Sequence, residues 1–121
     1  MDKLQALYDF WASFDIPAYE ETSVPDDAKL PYITYEAGIS SFDEPIPLTA
    51  SIWSKSLAEI SHKADEISEH ILKMNPPTIP FDNGRLRIAK RTPFGQEMSD
   101  DTNRQKKRMV LGITVEYETN Y

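Results

Sequence analysis

The C-terminal third of this 121-residue chain constrains its fold more than any other part, because strict alternation of side-chain character commits it to a sheet with one buried face. In RMVLGITVEYETNY (108–121), Met109, Leu111, Ile113, Val115 and Tyr117 fill the odd positions, and Gly112, Thr114, Glu116 and Glu118 alternate with them. A one-residue slip would turn the whole apolar row toward water. In GRLRIAKR (84–91), Leu86 and Ile88 point one way and Arg85, Arg87 and Arg91 the other, which predicts a basic outer surface. Between these strands lies TPFGQEMSDDTNRQKK (92–107), expected to form a long polar loop. Connections of that length in compact domains are usually functional or disordered.

Upstream, Leu4, Leu7, Tyr8, Trp11 and Phe14 are spaced three and four apart, so a helix over 2–14 with that stripe facing the sheet is expected. Residues 16–20 read as a short extended piece and 21–29 as a polar loop. LPYITYE (30–36) and IPLTASIW (46–53) read as strands, separated by a turn region at 38–45. Ser56 followed by Glu59 is a capping box that opens a second helix, whose apolar arc is Leu57, Ile60, Ala64, Ile67, Ile71 and Met74. Asn75-Pro76-Pro77 ends that helix, and FDNG (81–84) turns into the basic strand. The expected fold is α+β, with two main helices packed on a four-stranded, mostly antiparallel sheet and a long loop between the last two strands. One domain, 1–121, should hold a core of Ile33, Ile52, Leu57, Ile60, Ile67, Ile71, Leu86, Ile88, Leu111, Ile113 and Val115.

The chain contains no cysteine, which excludes disulfides, thiolate metal sites and a cysteine nucleophile. Its start, MDKLQALYDFWASF, lacks the basic and long apolar regions of a signal peptide, and no apolar run approaches a membrane span. A soluble protein without a membrane partner is the expectation. The formal charge of -7 is unevenly spread: residues 1–60 carry eleven Asp/Glu against three Lys/Arg, and residues 61–121 carry nine against ten. This asymmetry serves solubility, or it makes one copy complementary to the next, favouring the head-to-tail contacts that close rings.

Catalytic chemistry finds little footing. His62, Glu66 and His70 are spaced i, i+4, i+8, but they share a helix face with Glu59, Lys63, Glu69 and Lys73, and a solvated face with charge pairs accounts for all of them. The four glycines are isolated, so no phosphate-cradling loop exists, and the carboxylate pairs are adjacent residues in loops. No catalytic, cofactor-binding or metal residue is therefore assigned. Arg85, Arg87, Lys90 and Arg91 with Arg104, Lys106, Lys107 and Arg108 form a candidate basic patch, without interleaved aromatic residues. Apolar residues in polar settings are the sharper signal: Trp53 on the polar face of its strand, and Phe94 and Met98 in the expected loop. Each is an interface anchor, or folds back over the domain edge.

The opening helix, IPAYEE, LPYITYE, LTASIWSKSLAEI and the closing ITVEYETNY resemble the small tail terminator proteins, also called tail completion or minor capsid proteins, of long-tailed phages and phage-like elements of Gram-positive bacteria. The resemblance implies a structural virion protein, neither enzyme nor cofactor-binding. Such a protein forms a ring of about six copies, caps the tail tube and joins it to the head connector. Its partners would be itself, the tail tube protein and the head–tail connector protein, with non-specific contact to DNA passing through the ring. It would reside in the virion tail, and in the host cytoplasm during assembly. The alternatives are a head-side connector or a small nucleic-acid-binding adaptor. Subunit-interface candidates are Arg85, Arg87, Arg91, Trp53, Phe94 and Met98. Reversing charge at Arg85 and Arg87 is expected to weaken self-association more than the fold.

Overall fold

The alternating segment becomes the centre of a sheet. A computed structural model describes residues 2–38, 44–74, 78–98 and 106–119. Its elements are α1 (Lys3–Ala12), β1 (Ala18–Glu20), β2 (Tyr32–Tyr35), β3 (Ile46–Ser54), α2 (Leu57–Lys73), β4 (Thr78–Phe81), β5 (Gly84–Glu97) and β6 (Lys107–Thr119). The strand order is β1-β2-β3-β6-β5-β4; β1 runs parallel to β2 and every other pair is antiparallel.

The expected four-stranded, mostly antiparallel sheet is therefore corrected to a six-stranded mixed sheet, curled into a half-barrel. Two strands escaped the sequence pattern because each is too short to show a period. Ala18–Glu20 is the extended piece, drawn into the sheet by parallel pairing with β2. Thr78–Phe81 contains Pro80, which is tolerated because β4 is an edge strand. The curl follows from helix contacts: α1 touches both edge strands, β1 and β4. A flat six-stranded sheet would hold its edges about 24 Å apart, more than a ten-residue helix of about 15 Å comfortably spans.

The expected loop over 92–107 is corrected too. β5 continues to Glu97, pairing Gly95, Gln96 and Glu97 with Leu111, Val110 and Met109. Residues 91–94 bulge out opposite Gly112. A bulge asks no ladder hydrogen bond of Pro93, so the proline and glycine that read as loop residues interrupt the strand without ending it. Residues 99–105 lie outside the described residues, as do Asn75-Pro76-Pro77 and 39–43 of the expected turn region.

Both helices pack on the same face. Leu111, Ile113, Val115 and Tyr117 of β6, Leu48, Ala50 and Ile52 of β3, and Leu86 and Ile88 of β5 meet Leu7, Phe10 and Trp11 of α1 and Ile60, Ala64, Ile67 and Ile71 of α2 in one cluster. Asp2 caps α1 by accepting from Gln5 N–H at 2.8 Å. The buried stripe of α1 is Ala6, Leu7, Phe10 and Trp11; Leu4 and Tyr8, expected on it, are exposed. Ser56 caps α2 by accepting from Glu59 N–H at 3.2 Å. The reciprocal half of the box runs through the buried Ser54, whose hydroxyl donates to Glu59 Oε1 at 2.6 Å and accepts from Ser56 N–H at 3.2 Å. Of the expected core, only Leu57 fails, at 45% exposed: it opens α2, and the buried arc begins at Ile60.

Replacing fully buried Leu111 with alanine should cost about 2–5 kcal/mol in urea unfolding, whereas Leu72→Ala, on the exposed side of α2, should shift stability by less than about 0.5 kcal/mol. Tyr117, whose hydroxyl donates to the Gly38 carbonyl at 3.0 Å, has its ionisation pushed up to about 12 from 10.0 by burial. The unfolded chain loses that proton first as pH rises, so stability should fall between about pH 10 and 12. Tyr117→Phe should remove part of that fall in alkaline titrations followed by circular dichroism.

Candidate functional site

Since both helices cover one face of the sheet, the opposite, outer face has no second layer among the described residues. Strand register arranges its side chains in rows. At one end, Tyr32 of β2 is paired with Trp53 of β3, and Trp53 with Arg108 of β6. Met98 continues this row, donating its N–H to the Arg108 carbonyl at 2.9 Å, with its side chain 54% exposed.

This row is a cation–aromatic stack. Lys106 Nζ lies 4.6 Å from the Trp53 ring centre and 5.4 Å from that of Tyr32, and the Arg108 guanidinium lies 4.8 Å from Trp53. Tyr19 meets Tyr32 edge-on at 5.8 Å. Trp53 is further fixed by its indole N–H, which donates to Thr34 Oγ1 at 2.9 Å, and Arg108 Nε–H donates to Ser51 Oγ at 3.0 Å. Those bonds satisfy the two hydroxyls of the next row, Thr34 and Ser51, both buried. The stack buries Tyr32 to 5% exposure on a face that the alternation assigns to water.

The third row holds a cavity of about 280 Å³ whose walls include Thr49, Arg91, Pro93, Gln96 and Gly112. Arg91 lies flat over Gly112: a Cβ at that glycine would stand 3.1 Å from Arg91 Nε, 3.2 Å from Nη2 and 3.4 Å from the Pro93 carbonyl oxygen. The bulge and the glycine together make the bed for the guanidinium. Arg91 Nε is buried without a hydrogen-bond partner among the described residues.

At the far end, Arg85 and Arg87 face β6 opposite Glu118 and Glu116. The Glu118 carboxylate accepts from Arg87 Nε at 2.7 Å and from Arg85 Nε at 2.8 Å. The two guanidinium groups, Arg87 first, hold the Glu118 carboxyl down to about 2 from its ordinary 4.5, and the same bond raises Arg87 above its usual value. Two of the three arginines expected to make this surface basic, Arg85 and Arg87, are therefore engaged by an acidic side chain within the chain.

The six interface candidates thus divide. Arg85, Arg87, Arg91, Trp53 and Met98 belong to the outer face; Arg85 and Arg87 share Glu118, and Trp53 and Met98 lie in one row on either side of Arg108. Phe94 turns inward from the bulge and packs against the core, with Lys90 Nζ 5.5 Å from its ring. Lys90 also reaches Ser68 of α2 at 2.7 Å, so it leaves the expected basic patch; Arg104 lies outside the described residues. The sequence reading missed Tyr32, Lys106 and Arg108 as partners of Trp53. The register carried the signal, since Tyr32 and Trp53 both stand on the polar parity of their strands. It also missed Gly112, the one position without a side chain in the outer row Gly112, Thr114, Glu116, Glu118.

His62 and His70 are exposed, and Lys63 Nζ, on the same helix face, donates to Glu66 at 3.1 Å and to the Phe14 carbonyl at 2.7 Å. His70 packs edge-on against Phe14 at 5.3 Å. Among the described residues no group of three His, Asp or Glu is placed to hold a metal ion, and no helix is long and apolar enough to cross a membrane. No protein-family model matches the sequence, and no curated protein matches it.

The Glu118 fork makes a pH dependence. A carboxyl held below its ordinary value contributes stability above pH 4.5 and loses it as pH falls toward about 2. Wild type should therefore exceed Glu118→Gln in unfolding free energy near neutrality, and the gap should close across that acid range in denaturant titrations at stepped pH. A gap constant through the range would mean that the fork does not stabilise the fold.

Proposed function

We propose that the chain is a structural virion protein that caps a phage tail tube as a ring of about six copies and joins it to the head connector, with no catalysis. One observation carries the reading: among the described residues a six-stranded sheet leaves one face without a second layer, and that face holds an aromatic stack, an exposed methionine and a cavity lined in part by Arg91. Aromatic, methionine and arginine side chains are the types enriched where proteins meet. The resemblance in the opening helix and the IPAYEE, LPYITYE and LTASIWSKSLAEI segments supports the same role, as does the division of charge between the two halves of the chain.

In this reading, copies meet head to tail, acidic N-terminal surface against the Trp53–Arg91 end of the outer face. Arg85 and Arg87 are committed to Glu118 and take a smaller part than their sequence suggests. The tail tube and connector proteins are the remaining partners, with DNA passing through the ring.

The interleaving of Lys106 and Arg108 with Tyr32 and Trp53 favours a second reading, a small nucleic-acid-binding adaptor. Such modules offer open aromatic faces on which bases stack. Here the cations already lie over the rings, so a base would have to displace them.

Adding the protein to polymerising tail tube protein should shorten tubes and leave a ring at one end in electron micrographs, with native mass spectrometry giving about six copies at high concentration. Tubes that go on elongating in excess protein would sink the proposal. Quenching of Trp53 fluorescence by a single-stranded oligonucleotide at physiological salt would favour the adaptor.

A further inference from the structure

We propose that the cavity beside Arg91 is a binding site for a carboxylate group. Three arginines at odd positions of β5 share the outer face, and what stands across the ladder decides their state. Arg85 and Arg87 face Glu118 and Glu116 and are held by the Glu118 carboxylate. Arg91 faces Gly112, where the row of side chains is interrupted. The position that supplies a carboxylate to the first two arginines supplies bare backbone to the third.

Geometry makes this vacancy a site. The guanidinium lies against Gly112, so close that a Cβ at residue 112 would push it aside by a few tenths of an ångström, and the Pro93 carbonyl of the 91–94 bulge borders the same glycine. Its Nε–H is buried without an acceptor among the described residues. A charged donor withdrawn from water and left unbonded is costly, whereas a planar guanidinium matches a carboxylate through two parallel N–H groups. The neighbouring space, about 280 Å³, exceeds several-fold the roughly 30 Å³ share of one water, so it has room for a side-chain carboxylate. Gln96 and Thr92 line it with neutral polar groups. Glu36, the acidic side chain that reaches Thr49 on the cavity wall, is already engaged by Thr49 N–H and hydroxyl and forms no ion pair with Arg91.

The carboxylate has two sources: an Asp or Glu of a second copy, or a free small carboxylate. Residues 1–60 carry eleven acidic against three basic side chains, which makes the neighbouring copy the favoured one. The site itself is independent of the tail terminator reading; only its assignment to a second copy rests on it.

The test follows the Nε–H signals of the arginines by NMR in ¹⁵N-labelled full chain, in chloride buffer, with the Arg91 signal assigned by its loss in Arg91→Lys. Acetate should shift the Arg91 signal saturably and leave Arg85 and Arg87, already bonded to Glu118, in place. Arg91→Lys keeps the charge without the fork and should weaken acetate binding about tenfold, as a lost charged hydrogen bond requires. Its backbone spectrum and urea midpoint report whether it folds, and the wild-type titration needs no variant. Raising protein concentration without acetate should move the same Arg91 signal, with Arg91→Gln cutting self-association about tenfold. Acetate response without concentration response upholds the site and assigns it to a free carboxylate. An Arg91 signal that moves with neither overturns the proposal, even if rings form on tube ends; rings that fail to form while acetate still binds overturn the assembly reading alone.

Discussion

Everything on both faces of this molecule depends on β6 being held between β3 and β5 in one register. The ladder sets Leu111, Ile113 and Val115 against Ala50, Leu48 and Ile46 on one side, and aligns Val115 with Ile88 on the other. Because side chains alternate strictly, the same ladder also fixes the outer rows. A slip of one residue would expose the core and bury Glu116 and Glu118. Two close approaches resist it: a Cβ at Gly84 would stand only 2.2 Å from the Glu118 carbonyl oxygen, and Arg91 and Pro93 occupy the space over Gly112. Gly84 admits no side chain where it is, and at Gly112 a side chain would crowd Arg91.

What could be read from sequence was whatever repeats or has a local cause. The odd-position row of β6 and the arc Ile60, Ala64, Ile67 and Ile71 repeat, and the Ser56 cap has its signal within four residues. β1 is three residues long and exists because β2 offers it an edge, so no local pattern could mark it. The second half of β5 was hidden by Pro93 and Gly95, which mark turns in an isolated segment but here accommodate a bulge held by β6. Of the stripe expected on the first helix, Leu7, Trp11 and Phe14 are buried, but Leu4 and Tyr8 are not; they fit the helical period as well as the buried Ala6 and Phe10 do. The curl of the sheet, a property of all six strands together, decides which side is wrapped.

For the candidate site, residue type was legible and pairing was not. Trp53 was correctly placed on the wet face, and the alternation fixed Arg85, Arg87 and Arg91 on that face too. Which of them has a partner depends on cross-strand neighbours more than twenty residues away in sequence, Glu118 for two of them and Gly112 for the third. A charge count along one strand reports three equivalent cations. The ladder makes one of them different in kind.

That difference decides which arginine can be changed without touching the fold. Reversing Arg85 and Arg87 would set new carboxylates against Glu118 and Glu116, and like charges directly across a ladder destabilise the pairing itself. A loss of self-association in such a variant would be confounded by damage to the β5–β6 ribbon on which the core also depends. Arg91 sits at the bulge, where the ladder is already interrupted and no ion pair within the described chain relies on it. A change there can therefore probe the proposed carboxylate site while leaving in place the register that holds the molecule together.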